Sequence, residues 1–310
     1  MLLLHESTVL PAEIDTLGHM NVRYYMERMD RANVALMTRL GVNTDAEVFL
    51  RRTDTYSRFR REQFEGAALH TLGGVLDVSE NGMRSFAEIR NATDNEVAAS
   101  FVAVTRIIDA NSRQPRPFPV AAVRESEGCR VTIPPHGQPR SISLDPPRTD
   151  VSVADLDRRI PDSETTGMIS GRREALVEQE DVDAEGWLRE DIDVMFLPFL
   201  RAVRAGGAPP GPPVFRTADG RRVGWAVMES RNLAYARPRL GERLVHYSAD
   251  LALAEKSRLS RRWALSRDTG QLLGISDTVG ICIDLDARRA VDWPEEIRRL
   301  IEANLQSDLA

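Results

Sequence analysis

Seven residues, Asp15-Thr16-Leu17-Gly18-His19-Met20-Asn21, stand immediately ahead of a helical stripe, and their types suit chemistry at a carbonyl group. The first N–H groups of a helix lack intrahelical partners and carry the positive end of its dipole. A carbonyl placed there is polarised, and its developing oxyanion is stabilised. Gly18 permits close approach. Asp15 can face that carbonyl as nucleophile or as general base for water, while His19 and Asn21 hydrogen-bond and orient the attacked group. Each residue also has a purely structural reading: Asp15 as turn-former, Asn21 as N-cap, His19 as partner of a backbone carbonyl. Together, as DxxGHxN followed by Tyr25, they favour a functional role.

The element that must carry this segment is legible. Val22, Tyr25, Met26, Met29, Leu36, Met37 and Leu40 recur near i, i+3, i+4 and i+7, the stripe of an amphipathic helix, and Gly41 supplies its stop. The period then switches to two. Met83, Ser85, Ala87 and Ile89 alternate with Arg84, Phe86, Glu88 and Arg90, and residues 97–108 form an apolar run suited to a central strand. The same order returns later. Ile192, Met195, Phe196, Phe199 and Val203 make a second stripe, with a kink expected at Pro198, followed by strands around Val245, Trp263 and Ile281.

Residues match as well as pattern, since residues 13–20 lie without gaps over 181–188, aligning Asp183 with Asp15 and Gly186 with Gly18. His70 and His246 are read as equivalent points of the first long strand, and Asp94-Asn95 and Thr269-Gly270 as equivalent hairpin turns. The chain is therefore read as a tandem duplication with α+β domains at 1–118 and 166–310. Residues 119–165, rich in proline and charge, are read as a linker rather than core. The Gly/Pro-rich stretch 206–213 reads as a surface loop, and 294–305 as a short closing helix.

With 310 residues, 42% of them hydrophobic, the chain is long enough for two domains with cores of their own. A net charge of -6 with interspersed signs gives no basic face, so no nucleic-acid partner is expected. The two cysteines, Cys129 and Cys282, have no metal-ligand or CxxC neighbours, and no P-loop or GxGxxG is present. Neither metal nor cofactor is expected, and the compartment is read as reducing. The apolar run at residues 1–4 is too short for a signal peptide, and no stretch approaches eighteen apolar residues. These features predict a cytoplasmic protein without a membrane partner.

Residues 9–25 resemble the entrance motif of the 4-hydroxybenzoyl-CoA thioesterase branch of the hot-dog superfamily, a motif shared by acyl-ACP thioesterases. The likeness continues through residues 58–62, Gly66, 85–89 and 97–101. It implies two hot-dog domains, each a long helix wrapped by an antiparallel sheet, joined as an intrachain pseudo-dimer with one continuous sheet. It also implies hydrolysis of an acyl-CoA or acyl carrier protein thioester at the domain interface. The residue matching Asp15 would be the nucleophile or base, that matching His19 would line the site, and that matching Asn21 would steady the helix entrance. Plant acyl-ACP thioesterases carry Asn where this chain has Leu17, so the CoA branch is the nearer likeness.

The second copy keeps Asp183 and Gly186 but has Trp187, Arg189 and Asp191 at the places of His19, Asn21 and Arg23. An indole there would block an acyl chain, so one working site is expected, with the second domain as its other wall. Tyr25, Glu62, Arg58 and Arg61 are the expected substrate contacts. Glu62 could position water or pair with its neighbouring arginines. Arg58, Arg60 and Arg61, with Arg237 and Arg239 in the second copy, could meet carrier phosphates or be solvated edge charges. Competing readings are a hot-dog dehydratase, for which the paired Asp and His with Asn-Pro are missing, and a non-catalytic acyl-binding or scaffold module. Association into homo-oligomers stays open.

Overall fold

Asn21 accepts a hydrogen bond from the Arg23 N–H at 3.1 Å through its side-chain oxygen and so starts α1, Val22–Arg39. At the other end the N–H groups of Gly41 and Val42 reach the carbonyls of Thr38 and Met37, which closes a Schellman motif. Between these caps, Tyr25, Met26, Met29, Leu36 and Met37 are all buried, as the stripe predicts. The computed structural model describes residues 1–42, 47–79, 82–162, 171–204, 214–217 and 219–309.

The described residues of Met1–Arg140 form one compact unit. Its strands are β1 Leu2–Thr8, β2 Val48–Phe59, β3 Ala68–Ser79, β4 Gly82–Asn91 and β5 Val97–Asp109, with the short β6 Pro115–Arg116 on β5. They pair antiparallel in the order β1-β3-β4-β5-β2, and α1 packs on β1, β3 and β4. After β6 comes α2, Val120–Ser126. The expected linker is not free of core here. Ala122 and Cys129 join Leu36, Met37, Val75, Met83 and Phe118 in one apolar cluster. The chain also lies against β3, where the Val131 N–H reaches the Val75 carbonyl at 2.9 Å. Gly74 makes that approach workable, because a Cβ there would stand 2.5 Å from the Cys129 carbonyl oxygen.

The described residues of Ser141–Ala205 and Pro212–Ala310 form the other unit. It contains α3 Val153–Arg159, β7 Gly171–Leu176, α4 Leu197–Arg204, the short β8 Phe215–Arg216, β9 Arg222–Ala234, β10 Arg243–Leu253, β11 Ser257–Ser266, β12 Leu272–Asp284, the short β13 Arg289–Ala290 and α5 Glu295–Ala303. The main strands run β7-β10-β11-β12-β9, all antiparallel, which is the first unit's order repeated strand for strand. Leu156 and Ile160, also from the expected linker, are buried in this unit's core with Tyr247 and Trp263. The closing helix forms as α5. The stretch 206–213 lies outside the described residues.

Two expectations change in the second unit. Residues Val194–Phe196 form a 3-10 turn and α4 starts at Leu197, so Pro198 sits in the helix's first turn, where its missing N–H has no intrahelical acceptor to lose and no kink results. The histidines are not equivalent either. Counted from matching hairpin turns, Leu69 faces Asn91 as Leu244 faces Ser266, so His70 corresponds to Val245. A slip of one residue reverses the face of a strand. Accordingly His70 is partly exposed beside Glu6, whereas His246 is buried. Among the described residues no helix is long and apolar enough to cross a membrane.

The segment ahead of α1 is held by a buried ion pair. Arg28, 4% exposed, meets both carboxylate oxygens of Glu13 at 2.7 and 3.2 Å. Its remaining donors reach the Ser7 hydroxyl and the carbonyls of Thr8 and Tyr24. One guanidinium thereby joins β1, the turn at Pro11–Glu13 and α1. Arg28→Met leaves the Glu13 charge buried and unpaired and is expected to lower the unfolding free energy by about 3 kcal/mol. In urea unfolding, Glu13→Leu combined with Arg28→Met should lose less than the single variant.

Candidate active site

Downstream of that clamp the chain makes a tight loop. The Asp15 N–H reaches the His19 carbonyl at 2.9 Å, the Gly18 N–H reaches the Asp15 carbonyl at 2.9 Å, and Ile14 pairs with Met20 across the loop. Gly18 has φ +83, where a side chain is strained, although a Cβ there would meet nothing within 4 Å. The Asn21 N–H reaches the Glu13 carbonyl, and the Met20 N–H that of Gln63 at 2.7 Å. Both ends of the loop are thus pinned to elements outside it.

Asp15 is buried and divides its two oxygens between different tasks. Oδ1 accepts from the Leu17 N–H at 2.8 Å and shapes the loop. Oδ2 accepts from Asn21 Nδ2 at 3.2 Å and lies 3.8 Å from His19 Nδ1. The His19 ring has Nδ1 3.2 Å from the Met20 carbonyl oxygen and Nε2 3.5 Å from Glu62 Oε1. Side-chain exposure climbs along this series, from 3% at Asp15 through 13% at His19 to 32% at Glu62, so the three groups lead from a buried carboxylate to solvent. Asn21 caps α1 with one end of its amide and steadies Asp15 with the other, and the first-turn N–H groups of Arg23 and Tyr24 both go to Asn21.

The remaining candidate residues sit elsewhere. Tyr25 is 3% exposed, its ring edge-on to Phe59 at 5.6 Å, and burial pushes its phenol pKa up. Its hydroxyl donates to the Arg61 carbonyl at 3.1 Å, so it fixes the backbone next to Glu62 instead of facing outward for a substrate. Arg58 donates to the Gln138 carbonyl, and Arg61 forms an ion pair with Glu96. Both guanidinium groups hold the chain itself where carrier contacts were expected. Glu62 faces His19. Glu13, Arg28 and Gln63, which support the loop, were not singled out from the sequence. The available signal was Arg28 itself, a cation within the apolar stripe, which needs a buried partner. Among the described residues no three His, Cys, Asp or Glu groups gather as a metal site.

The second unit repeats the scaffold and changes the chemistry. Asp183 Oδ1 accepts from the N–H groups of Glu185 and Trp187, Gly186 has φ +79, and Val182 pairs with Leu188. Asp181, in the place of Glu13, meets Arg204 at 2.5 Å. Trp187 stands where His19 does, with the Arg239 guanidinium 4.0 Å from its ring centroid. Arg237, at the place of Glu62, donates to the carbonyls of Arg189 and Ile192 and pairs with Glu190 at 3.0 Å. Here the Asp-Gly turn survives without the His–Glu pair beside it.

A helix packed on an antiparallel sheet in the order 1-3-4-5-2, present twice, makes this chain a double hot-dog protein. It resembles the thioesterase-like superfamily, whose family model matches residues 9–126. Solved structures of thioesterases share its fold over nearly the whole length. The 12:0-ACP thioesterase from Umbellularia californica is 9% identical, covers 90% of this chain and 93% of its own, and superposes with a TM-score of 0.63. An acyl-ACP thioesterase from Bacteroides thetaiotaomicron is 9% identical, with coverage of 89% and 96% and a TM-score of 0.59. No curated protein matches the chain significantly.

If the glycines serve the turn rather than open space, Gly18→Ala and Gly186→Ala should each cost about 1–2 kcal/mol, the strain of a left-handed non-glycine residue. Thermal unfolding of the two variants should give similar losses even though one loop carries the candidate site.

Proposed function

We propose that the chain hydrolyses acyl thioesters at Asp15, with acyl-CoA as the carrier. The observation that carries this reading is the arrangement of Asp15 Oδ2 beside Asn21 and His19 in the first unit, set against a second unit that keeps the turn and replaces its polar neighbours. The family match over residues 9–126 supports the same reaction class.

In this mechanism Asp15 acts through Oδ2. As general base it takes a proton from water, the hydroxyl adds to the acyl carbon, and the C–S bond breaks with the proton passing to sulfur. As nucleophile it forms an acyl anhydride with loss of thiolate, which water then opens. Both routes yield a free acid and a free thiol. Asn21 is a positioning residue that aims Oδ2. His19 and Glu62 provide a route for protons towards solvent.

Free-thiol release is measured with a panel from acetyl-CoA to palmitoyl-CoA and an aromatic acyl-CoA. Asp15→Asn retains an oxygen for the Leu17 N–H but turns an amide donor towards Asn21 Nδ2, so it should stay folded with a modestly lowered unfolding temperature while turnover falls about 10²- to 10⁴-fold. Asp183→Asn should turn over like wild type. Because the tandem-fold relatives named above are thioesterases of acyl-ACP, the panel is repeated with acyl-ACP. Turnover there alone corrects the carrier, and equal background from wild type and Asp15→Asn on both carriers refutes hydrolysis in favour of an acyl-binding module.

A further inference from the structure

Two exposed stretches border the Asp15 loop, and hydrogen bonds hold them side by side. The Met20 N–H reaches the Gln63 carbonyl at 2.7 Å, the Gly66 N–H reaches the Val9 carbonyl at 2.9 Å, and the Val9 N–H reaches the Ala67 carbonyl at 3.0 Å. One stretch, Leu10-Pro11-Ala12, leads into the loop, with Leu10 55% exposed. The other carries Phe64, two residues beyond Glu62 and 52% exposed. Exposure climbs from Asp15 through His19 to Glu62, and Phe64 stands at the outer end of that series. Together the four side chains give the loop an apolar lip.

The second unit repeats the hydrogen bonds and reverses the chemistry. The Leu188 N–H reaches the Pro238 carbonyl at 3.0 Å and the Gly241 N–H that of Val177 at 2.9 Å, so Arg239 stands at the place of Phe64. The turn Gln179–Asp181 repeats Pro11–Glu13, which sets Glu178, Gln179 and Glu180 at the places of Leu10, Pro11 and Ala12. All four are exposed, so the lip of the second loop is polar and charged. Scattered exposed apolar residues are ordinary, and the second unit has its own in Leu176, Tyr235 and Leu240. The first unit's lip differs in bordering Asp15. It is also replaced, position for position, where the polar groups around the aspartate are replaced too.

A thioester whose carbonyl meets Asp15 Oδ2 must send its sulfur side towards solvent, because the carrier is too large and too polar to be buried. That path follows the rise in exposure past Glu62 to the lip. Glu62 and Glu65 flank Phe64 in the sequence, and carboxylates there are ill matched to phosphates or to an acidic protein surface. The part of the carrier that suits the lip is uncharged and partly apolar. We propose that Leu10, Pro11, Ala12 and Phe64 hold the pantetheine arm of the thioester, packing against its gem-dimethyl group and amide chain. This rests on the reading of Asp15 as the carboxylate of a thioester hydrolase. Because the lip faces solvent, the arm lies along the surface and needs no enclosed cavity.

Calorimetric titration of the full chain with S-octyl-CoA and S-octyl-pantetheine, thioethers that cannot be hydrolysed, tests the lip. Both should bind, and Phe64→Ala and Leu10→Glu should each weaken both by about three- to tenfold. Both side chains are exposed, so the variants should unfold at the wild-type temperature, and Phe64→Leu, which keeps apolar area, should bind like wild type. The arm is common to CoA and acyl carrier protein. In thiol-release assays Phe64→Ala should raise KM more than it changes kcat, and does so for the carrier that the protein uses. No binding of either thioether, unchanged binding by both variants, or a loss confined to S-octyl-CoA, which would put the nucleotide on the lip, overturns the proposal. A loss seen with S-octyl-CoA and absent with S-ethyl-CoA would put the acyl chain there and overturns it as well. Lip-dependent binding without turnover of either thioester leaves the arm contact standing and removes hydrolysis. Turnover without lip-dependent binding does the reverse, so the two failures are distinguishable.

Discussion

Buried in the first unit, the Arg28 guanidinium satisfies every one of its nitrogens at once: Glu13 on the turn, Ser7 and Thr8 at the end of β1, and the Tyr24 carbonyl on α1. A charge removed from water is tolerable only when its surroundings are fully matched, so these three elements have little freedom to shift independently. The loop that follows inherits this constraint. Asn21 is pinned through its N–H to the Glu13 carbonyl, and Asp15 is in turn oriented by Asn21. The position of the candidate carboxylate therefore traces back, bond by bond, to an ion pair that touches no substrate.

The repeated fold acts as an internal control on which features belong to the scaffold. Both copies keep a buried acidic residue at the place of Glu13 paired with an arginine, an aspartate whose Oδ1 closes the turn, and a glycine at positive φ. Those shared features build a loop and imply no chemistry. What differs is the set of groups around the aspartate: Asn21, His19 and Glu62 in one copy, Arg189, Trp187 and Arg237 in the other. The difference isolates Oδ2 of Asp15, rather than the motif as a whole, as the atom of interest.

Much of this was legible because it is local. The stripe of α1, its caps, the alternating strands and the turn motif all follow from spacings within a few residues. Register was not legible to the same accuracy, and a one-residue error paired His70 with His246 although hydrogen bonding matches His70 to Val245. Proline-rich composition concealed the core residues Ala122, Cys129, Leu156 and Ile160, since burial is decided by tertiary contacts that composition does not report. The arginines Arg58 and Arg61 looked available for phosphates because Gln138 and Glu96 are distant in sequence. Arg28 shows the same limit from the other side, for its place in the apolar stripe calls for a partner but only the packing identifies it as Glu13.

The second copy's loop also resists conversion into the first copy's by single steps. Trp187 is clamped by Arg239, and Arg237 is spent on backbone carbonyls and Glu190. Restoring a histidine alone at position 187 would set it beside Arg237 instead of a glutamate such as the Glu62 that His19 faces, and leave Arg239 without its ring. No single substitution recovers the first copy's arrangement, and each partial step leaves a charge without its present partner. Giving the second copy the first copy's polar surroundings would therefore take several changes made together.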